Sequence, residues 1–197
     1  VAPFTLIEAE SYLQQLGCKW DRLQILQSYM LLGGVPFYYS LIEPHDSLAQ
    51  NIDRLFFHED GALRTEFDEL YYALFKNADL YLSVAKLLCT HKEVMTHKEI
   101  AKNIGCDGGK LTIVLRNLER CDFVERWSQY GNHKRGSLFR MVDFFTKFYY
   151  TFVESNNFKD PQWWSNNMRE PSVTSWMGNT FELVCMQHHH CIKASLH

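Results

Sequence analysis

The order of predicted helices and strands in residues 79–143 constrains the fold of this chain more than any other feature. Apolar residues recur at helical spacing in the first predicted helix: Tyr81, Val84, Ala85 and Leu88. The second helix opens with a capping box, in which Thr96 and Glu99 each satisfy a backbone N–H of the other, and Gly105 is suited to end it. The third helix repeats the helical spacing: Leu111, Val114, Leu115 and Leu118. Three consecutive helices are therefore predicted.

Two strand-like runs follow these helices, at residues 123–127 and 137–142. The residues between them, 130–136, are rich in turn formers and carry Lys134 and Arg135 at the tip. Three helices followed by two strands with a long loop are typical of a winged helix-turn-helix, in which the third helix enters a groove of DNA. The predicted fold class is mainly α with a small β wing.

Side chains that could contact DNA lie on the third helix and on the wing: Lys110, Arg116, Asn117, Arg120, Lys134 and Arg135. Arg and Asn are the residues that reach base edges in the major groove. Residues 79–143 contain eleven Lys/Arg and eight Asp/Glu, an excess of three positive charges. Tight DNA binding requires Lys and Arg to neutralise many phosphates, and an excess of three charges is small for that purpose. Two kinds of partner remain open for this segment, duplex DNA and a protein surface.

Composition limits the class of protein. The 197 residues carry a formal net charge of −3, which excludes a strongly basic nucleic-acid binder, and 46% are hydrophobic, which is enough for packed cores. No apolar run approaches the roughly 20 residues of a membrane span, and no signal peptide is recognisable. The six cysteines form no C-x-x-C pair, as expected of reduced thiols. We therefore expect a cytoplasmic protein with no membrane partner.

The N-terminal part is predicted to be helical and interrupted at a corner. A capping box of Thr5 and Glu8 opens one helix, and a second helix stops at Gly33-Gly34. Pro36 then suits the first turn of a short helix, because its missing N–H is not needed there.

Residues 29–39, Tyr-Met-Leu-Leu-Gly-Gly-Val-Pro-Phe-Tyr-Tyr, resemble the Gly-Gly-x-Pro signature in the helical lid of the archaeal ATPase family. This family of AAA+ (STAND-like) proteins occurs in archaea and bacteria. The resemblance implies that Gly33, Gly34 and Pro36 contact the adenine or ribose of ATP in an intact ATPase. It also implies an N-terminal nucleotide-binding domain as partner, a winged helix after the lid, and a C-terminal domain resembling restriction endonucleases.

The chain departs from this family in one respect. No G-x-x-x-x-G-K-[ST] phosphate-binding loop occurs in it. Phosphoryl transfer needs such a cradle and a magnesium site. The chain alone is therefore expected to contain no catalytic residues, to bind no nucleotide tightly and to leave ATP intact.

The predicted helix at residues 176–185 resembles the start of the nuclease-like domain of the same family, where Glu182 matches an acidic site position. Cys185, His188 and His189 share one helix face, but one helix cannot supply the four ligands of zinc, so no metal site is predicted. The apolar side of this helix, with Phe181, Val184 and Cys185, is expected either to support self-association with another chain or to fold back on the aromatic helix at Phe148.

The predicted organisation has four parts. Residues 1–45 are a lid remnant, 46–78 are connecting helices, 79–143 are the winged helix-turn-helix, and 144–197 are an aromatic helix, a linker and the truncated start of a nuclease-like domain. The expected function is the C-terminal regulatory portion of an ATP-binding ATPase that contacts DNA. The alternatives are a free-standing winged-helix transcription regulator and a protein-docking module.

Overall fold

The computed structural model describes residues 3–91, 94–127, 137–156 and 159–196. In chain order, the elements are α1 Leu6–Leu16, α2 Arg22–Leu32, α3 Pro36–Ser40, α4 Leu48–Ile52, a π-helical segment Asp53–Phe57, α5 Ala62–Leu74, α6 Ala78–Thr90, β1 Met95–Thr96, α7 His97–Ile104, α8 Gly108–Arg120, β2 Val124–Trp127, β3 Leu138–Met141, α9 Phe144–Phe148, a π-helical segment Tyr149–Val153, α10 Glu154–Asn156, α11 Trp163–Asn167, α12 Pro171–Gln187 and α13 His189–Ser195. The predicted fold class is confirmed at this level, since the chain is mainly helical with one small antiparallel sheet.

The chain divides into two compact units. Unit 1 contains residues 1–64 and 156–197, and unit 2 contains residues 65–155. The boundary after residue 64 falls inside the predicted connecting segment 46–78. The predicted C-terminal segment 144–197 is also divided, because residues 144–155 belong to unit 2.

In unit 1, the side chain of Asp53, which is only 4% exposed, binds the first turn of α11. Its carboxylate accepts hydrogen bonds from the backbone N–H groups of Trp164 (2.8 Å) and Ser165 (3.2 Å) and from the Ser165 hydroxyl. These N–H groups belong to the first turn of α11, where no helical acceptor exists for them. Phe57 stacks on Trp163 beside them, with ring centroids 5.3 Å apart. Asp53 therefore holds α11 to the π-helical segment.

Helix α12 of unit 1 packs against α2. Its buried side consists of Val173, Thr180, Leu183 and Val184. The sequence predicted a helix over 176–185 and a loop at Pro171, but the helix starts at Pro171, in the first turn, where proline is tolerated. The predicted loop between residues 156 and 171 also contains α11.

Unit 2 has an aromatic core in which Phe67 of α5 stacks on Tyr149, with centroids 3.7 Å apart. The Tyr71 hydroxyl lies 3.1 Å from the Thr146 hydroxyl in the same core. The predicted aromatic helix is α-helical only as α9, because residues 149–153 adopt the wider π-helical turn.

The sheet of unit 2 has the strand order β1-β3-β2, and both pairings are antiparallel. Met95 pairs with Phe139, and Val124 pairs with Met141. The two predicted strands are present as β2 and β3, whereas β1 has no counterpart in the sequence-based prediction. In the described part of the chain, no helix is both long and apolar enough to cross a bilayer.

Candidate nucleic-acid interface

The start and the buried side of α8 fix the orientation of this helix. Asp107 caps it, since its carboxylate accepts hydrogen bonds from the N–H groups of Gly109 (3.1 Å) and Lys110 (3.3 Å). The buried side contains the four predicted apolar residues: Leu111, Val114, Leu115 and Leu118. Because these residues face the core of unit 2, the opposite side of α8 faces solvent.

The solvent-exposed side of α8 carries Lys110, Arg116 and Arg120, as the sequence predicts. No ion pair joins any of these three cations to another of the described residues. Ile113 lies among them and is 56% exposed. By contrast, Arg126 of β2 is paired with Glu119, with Nε and Oε1 3.5 Å apart. The α8 surface therefore presents three cations that anions of a partner can reach.

Asn117 lies partly buried on the same helix. Its side-chain nitrogen donates a hydrogen bond to the Tyr81 hydroxyl, at 2.7 Å. The amide therefore joins α8 to α6 inside unit 2, and one of its two N–H donors is already engaged. The helical spacing alone predicts Asn117 beside Arg116, but the distance to Tyr81 follows only from the packing.

Helix α7 adds residues to this surface that the sequence-based prediction missed. Lys98 and Lys102, one turn apart, are both exposed. His97, the first residue of α7, lies with Nε2 3.0 Å from the Thr112 hydroxyl of α8. The sequence signal for these residues was local, since all three follow Thr96, the cap of α7.

In the capping box of α7, the Glu99 side chain is stabilised as the charged carboxylate. Hydrogen bonds from the Thr96 hydroxyl and from the Thr96 backbone N–H lower the pKa of Glu99 below its ordinary value. The carboxylate of Glu99 is thereby engaged by its own helix.

The other two predicted DNA-contacting residues, Lys134 and Arg135, lie outside the described residues. The strands on either side of them are described, and Trp127 pairs with Leu138 where β2 ends and β3 begins. Trp127 is 39% exposed.

The predicted nucleotide-contacting corner, Gly33, Gly34 and Pro36, belongs to unit 1. Gly33 has φ of 66°, in the region that favours glycine, and its carbonyl accepts a hydrogen bond from the Tyr39 hydroxyl at 2.8 Å. Pro36 is the first residue of α3. The three residues therefore form the corner between α2 and α3.

Gly34 is approached closely by the chain itself. The Phe4 N–H donates to the Gly34 carbonyl at 2.6 Å, and a Cβ on Gly34 would lie 2.2 Å from the Phe4 carbonyl oxygen. The close approach that the glycine permits is thus made by the Phe4 backbone. Contact of this corner with adenine or ribose stays a prediction.

Glu182 lies on the exposed side of α12, in unit 1. Near it, Phe181 is 46% exposed. His188 accepts a hydrogen bond from the Leu6 N–H at Nε2, and its Nδ1 lies 3.0 Å from the Val184 carbonyl. Within the ranges that the structure describes, no three His, Cys, Asp or Glu side chains are grouped as metal ligands.

Two cysteines of unit 2 have raised pKa values, which leaves little thiolate for nucleophilic chemistry. Burial raises the pKa of the Cys89 thiol far above its ordinary value, so this residue is present as the thiol. Burial also raises the pKa of Cys121, beside the end of α8.

Comparison of the chain with protein-family models, with curated proteins and with solved structures found no match in any of the three. The functional assignment therefore depends on the fold and on the α7–α8 surface.

Proposed function

We propose that residues 79–143 form a winged helix-turn-helix that contacts duplex DNA through α8, within the regulatory portion of an ATPase of the archaeal ATPase family. One observation carries the DNA-binding part of the proposal. Strand β1 lies between α6 and α7, β2 and β3 follow α8, and the three strands form a sheet of order β1-β3-β2, while α8 presents Lys110, Arg116 and Arg120 on its exposed side. In DNA-binding proteins of this kind, the second helix of the helix-turn-helix lies in the major groove.

The charge distribution supports the same surface. Residues 79–143 have an excess of three positive charges, whereas the whole chain has a net charge of −3, so the remaining residues carry −6. A polyanion is attracted to the one part of the chain that has the opposite sign. Because the excess is small, only a few phosphates are neutralised and binding is weak at physiological salt.

The ATPase part of the proposal is supported by the resemblance of residues 29–39 to the lid signature. In this proposal, Gly33, Gly34 and Pro36 contact the base or ribose of ATP that is held by a separate nucleotide-binding domain. Glu182 is proposed to belong to an acidic site of a nuclease-like domain. The chain itself supplies no phosphate-binding loop, so ATP hydrolysis is assigned to the partner domain.

The DNA-binding proposal is tested by fluorescence anisotropy with a labelled duplex and the full chain. Replacing Arg116 and Arg120 together by Ala is expected to weaken binding by roughly tenfold at low salt. It is also expected to reduce the number of counterions released on binding by about two, as measured from the slope of log affinity against log salt. The matched control is Lys19→Ala with Lys76→Ala, which removes the same charge from exposed positions outside residues 79–143. Tight binding that ignores salt and both Arg substitutions would contradict the proposal.

The two basic residues of the predicted wing are tested in the same assay. Lys134→Ala with Arg135→Ala is expected to weaken binding by a similar factor, because each cation that neutralises a phosphate releases a counterion. Unchanged affinity would remove the wing from the interface while leaving α8 in place.

A protein-docking function is the second candidate, and the exposure of Ile113 and Trp127 favours it. Apolar anchors of this kind are typical of protein interfaces. Ile113→Lys separates the two candidates, because it adds a cation and removes the anchor. A DNA-binding surface is expected to hold its affinity for the duplex or to gain affinity. Absence of duplex binding by both the wild-type chain and this variant would favour docking.

A further inference from the structure

We propose that His97 is a further DNA-contacting residue, which binds a phosphate as the imidazolium and makes DNA affinity depend on pH. This inference rests on the proposed DNA-binding function. The observation that carries it is the hydrogen-bond chain from His97 Nε2 to the Thr112 hydroxyl (3.0 Å) and from that hydroxyl to the Gly108 carbonyl (2.8 Å).

The two hydrogen bonds, from His97 to Thr112 and from Thr112 to Gly108, fix the tautomer of His97. A carbonyl oxygen only accepts, so the single proton of the Thr112 hydroxyl is donated to Gly108. The hydroxyl oxygen must then accept from His97, and Nε2 therefore carries a hydrogen. Nδ1 is left as the position for the second proton. Taking up that proton keeps the bond to Thr112 intact, so the imidazolium forms without rearrangement of α7 against α8.

His97 is located where this charge is useful to the interface. Thr112 lies on the exposed side of α8, one residue before Ile113 and one turn before Arg116. The ring also lies beside the first turn of α8, since a Cβ on Gly108 would be 3.6 Å from its Cε1. A protonated His97 thus extends the positive surface of α8 onto α7.

The neighbouring carboxylates are engaged elsewhere. On α7, Glu99 binds Thr96, and the other charges are Lys98 and Lys102. On α8, the Asp107 cap binds backbone N–H groups and Glu119 pairs with Arg126, while Lys110, Arg116 and Arg120 are cations. On α6, Asp79 accepts from Tyr72, and Lys86 pairs with Glu154. β1 carries no charge. Among the described residues, none of these carboxylates is within ion-pair distance of His97.

Histidine is the side chain that changes charge between about pH 5 and 8. A phosphate that binds the imidazolium takes part in counterion release, so one proton adds about 0.9 to the slope of log affinity against log salt. The combined expectation is tighter binding and a steeper salt dependence at low pH.

The experiment measures anisotropy of a labelled duplex with the full chain at pH 5.8 and 7.8, over a range of salt. The wild-type chain is expected to bind at least about threefold tighter at pH 5.8, with the steeper slope. His97→Gln keeps a donor for Thr112 but cannot be charged, and is expected to show a smaller pH dependence than the wild-type chain. His97→Lys is expected to bind at pH 7.8 as tightly as the wild-type chain at pH 5.8. The control, His45→Gln in unit 1, is expected to keep the pH dependence.

A pH dependence that persists undiminished in His97→Gln would overturn the role of His97 while leaving the DNA-binding function in place. Absence of duplex binding by the wild-type chain at both pH values would overturn both. Thermal melting of each variant identifies a folding defect, and His97→Lys then decides the case, because it acts by a gain in binding.

Discussion

Asp53 is the residue on which the position of α11 depends most directly. It supplies acceptors for two backbone N–H groups and one hydroxyl in the first turn of that helix. Trp164 is 111 residues away from it in sequence. No local pattern around Asp53 distinguishes it from the exposed acids nearby, so sequence reasoning could not identify it.

Asp53→Ala is expected to destabilise the chain, because the buried N–H groups of α11 lose their acceptors. At about 1 kcal/mol for each of three hydrogen bonds, the expected loss is about 3 kcal/mol in the free energy of unfolding. Urea denaturation followed by tryptophan fluorescence measures it. Asp60→Ala, at an exposed position, serves as the control and is expected to change stability by less than about 0.5 kcal/mol. Equal effects of the two substitutions would contradict the role of Asp53.

Asp53 also makes stability depend on pH. Burial raises its pKa above the ordinary 3.8, against the opposing effect of hydrogen bonds from Ser165 and Trp164. The folded chain then holds this proton more tightly than the unfolded chain, so the contribution of Asp53 to stability falls as pH rises from 3.8 through the raised pKa. Asp53→Asn removes this contribution. Urea midpoints measured as pH rises from 3.8 should therefore decline less steeply in Asp53→Asn, and identical slopes would refute the assignment.

At the scale of elements, the corner between α2 and α3 depends on the absence of a side chain at Gly34. A Cβ there would meet the Phe4 carbonyl, which is backbone and cannot move without breaking the hydrogen bond from Phe4 N–H to the Gly34 carbonyl. Gly34→Ala is expected to lower stability by about 1–3 kcal/mol.

Gly178→Ala is the matched control for this substitution. Gly178 lies in α12 with nothing within 4 Å of its added Cβ, so Ala is expected to stabilise the helix by up to about 1 kcal/mol. Thermal unfolding compares the two variants. Tolerance of Ala at Gly34 would show that the Phe4 segment does not hold this corner.

The elements that the sequence predicted are those with local causes. The capping boxes of Thr5 with Glu8 and Thr96 with Glu99 are both present, because both partners of each box lie within one turn. β1 was missed because its two residues become a strand only by pairing with β3. The π-helical turn of residues 149–153 also escaped, since apolar spacing in so aromatic a run fits an α-helix equally well.

The candidate surface was predicted in part for the same reason. Helical spacing locates Arg116 and Arg120 on the exposed side of α8, since the buried side is strongly apolar. The bond of Asn117 to Tyr81 and that of His97 to Thr112 depend on how α6, α7 and α8 pack, which one sequence does not reveal.

At the scale of the whole molecule, the chain forms unit 1, continues through unit 2, and returns to unit 1 at residue 156. Analysis of the sequence segment by segment cannot predict that the chain returns to unit 1, because the amphipathic pattern of α12 does not specify α2 as its partner. The organisation assigns the proposed DNA surface to a single unit, residues 65–155, with its own aromatic core.

Hydrogen–deuterium exchange of the full chain, with and without a DNA duplex at low salt, tests the central claim most directly. Slower exchange on adding DNA is expected in residues 97–120, the two helices of the proposed interface, with no change in α1, α2 and α12. Unchanged exchange throughout α7 and α8 at a DNA concentration that saturates binding, or protection confined to unit 1, would contradict it.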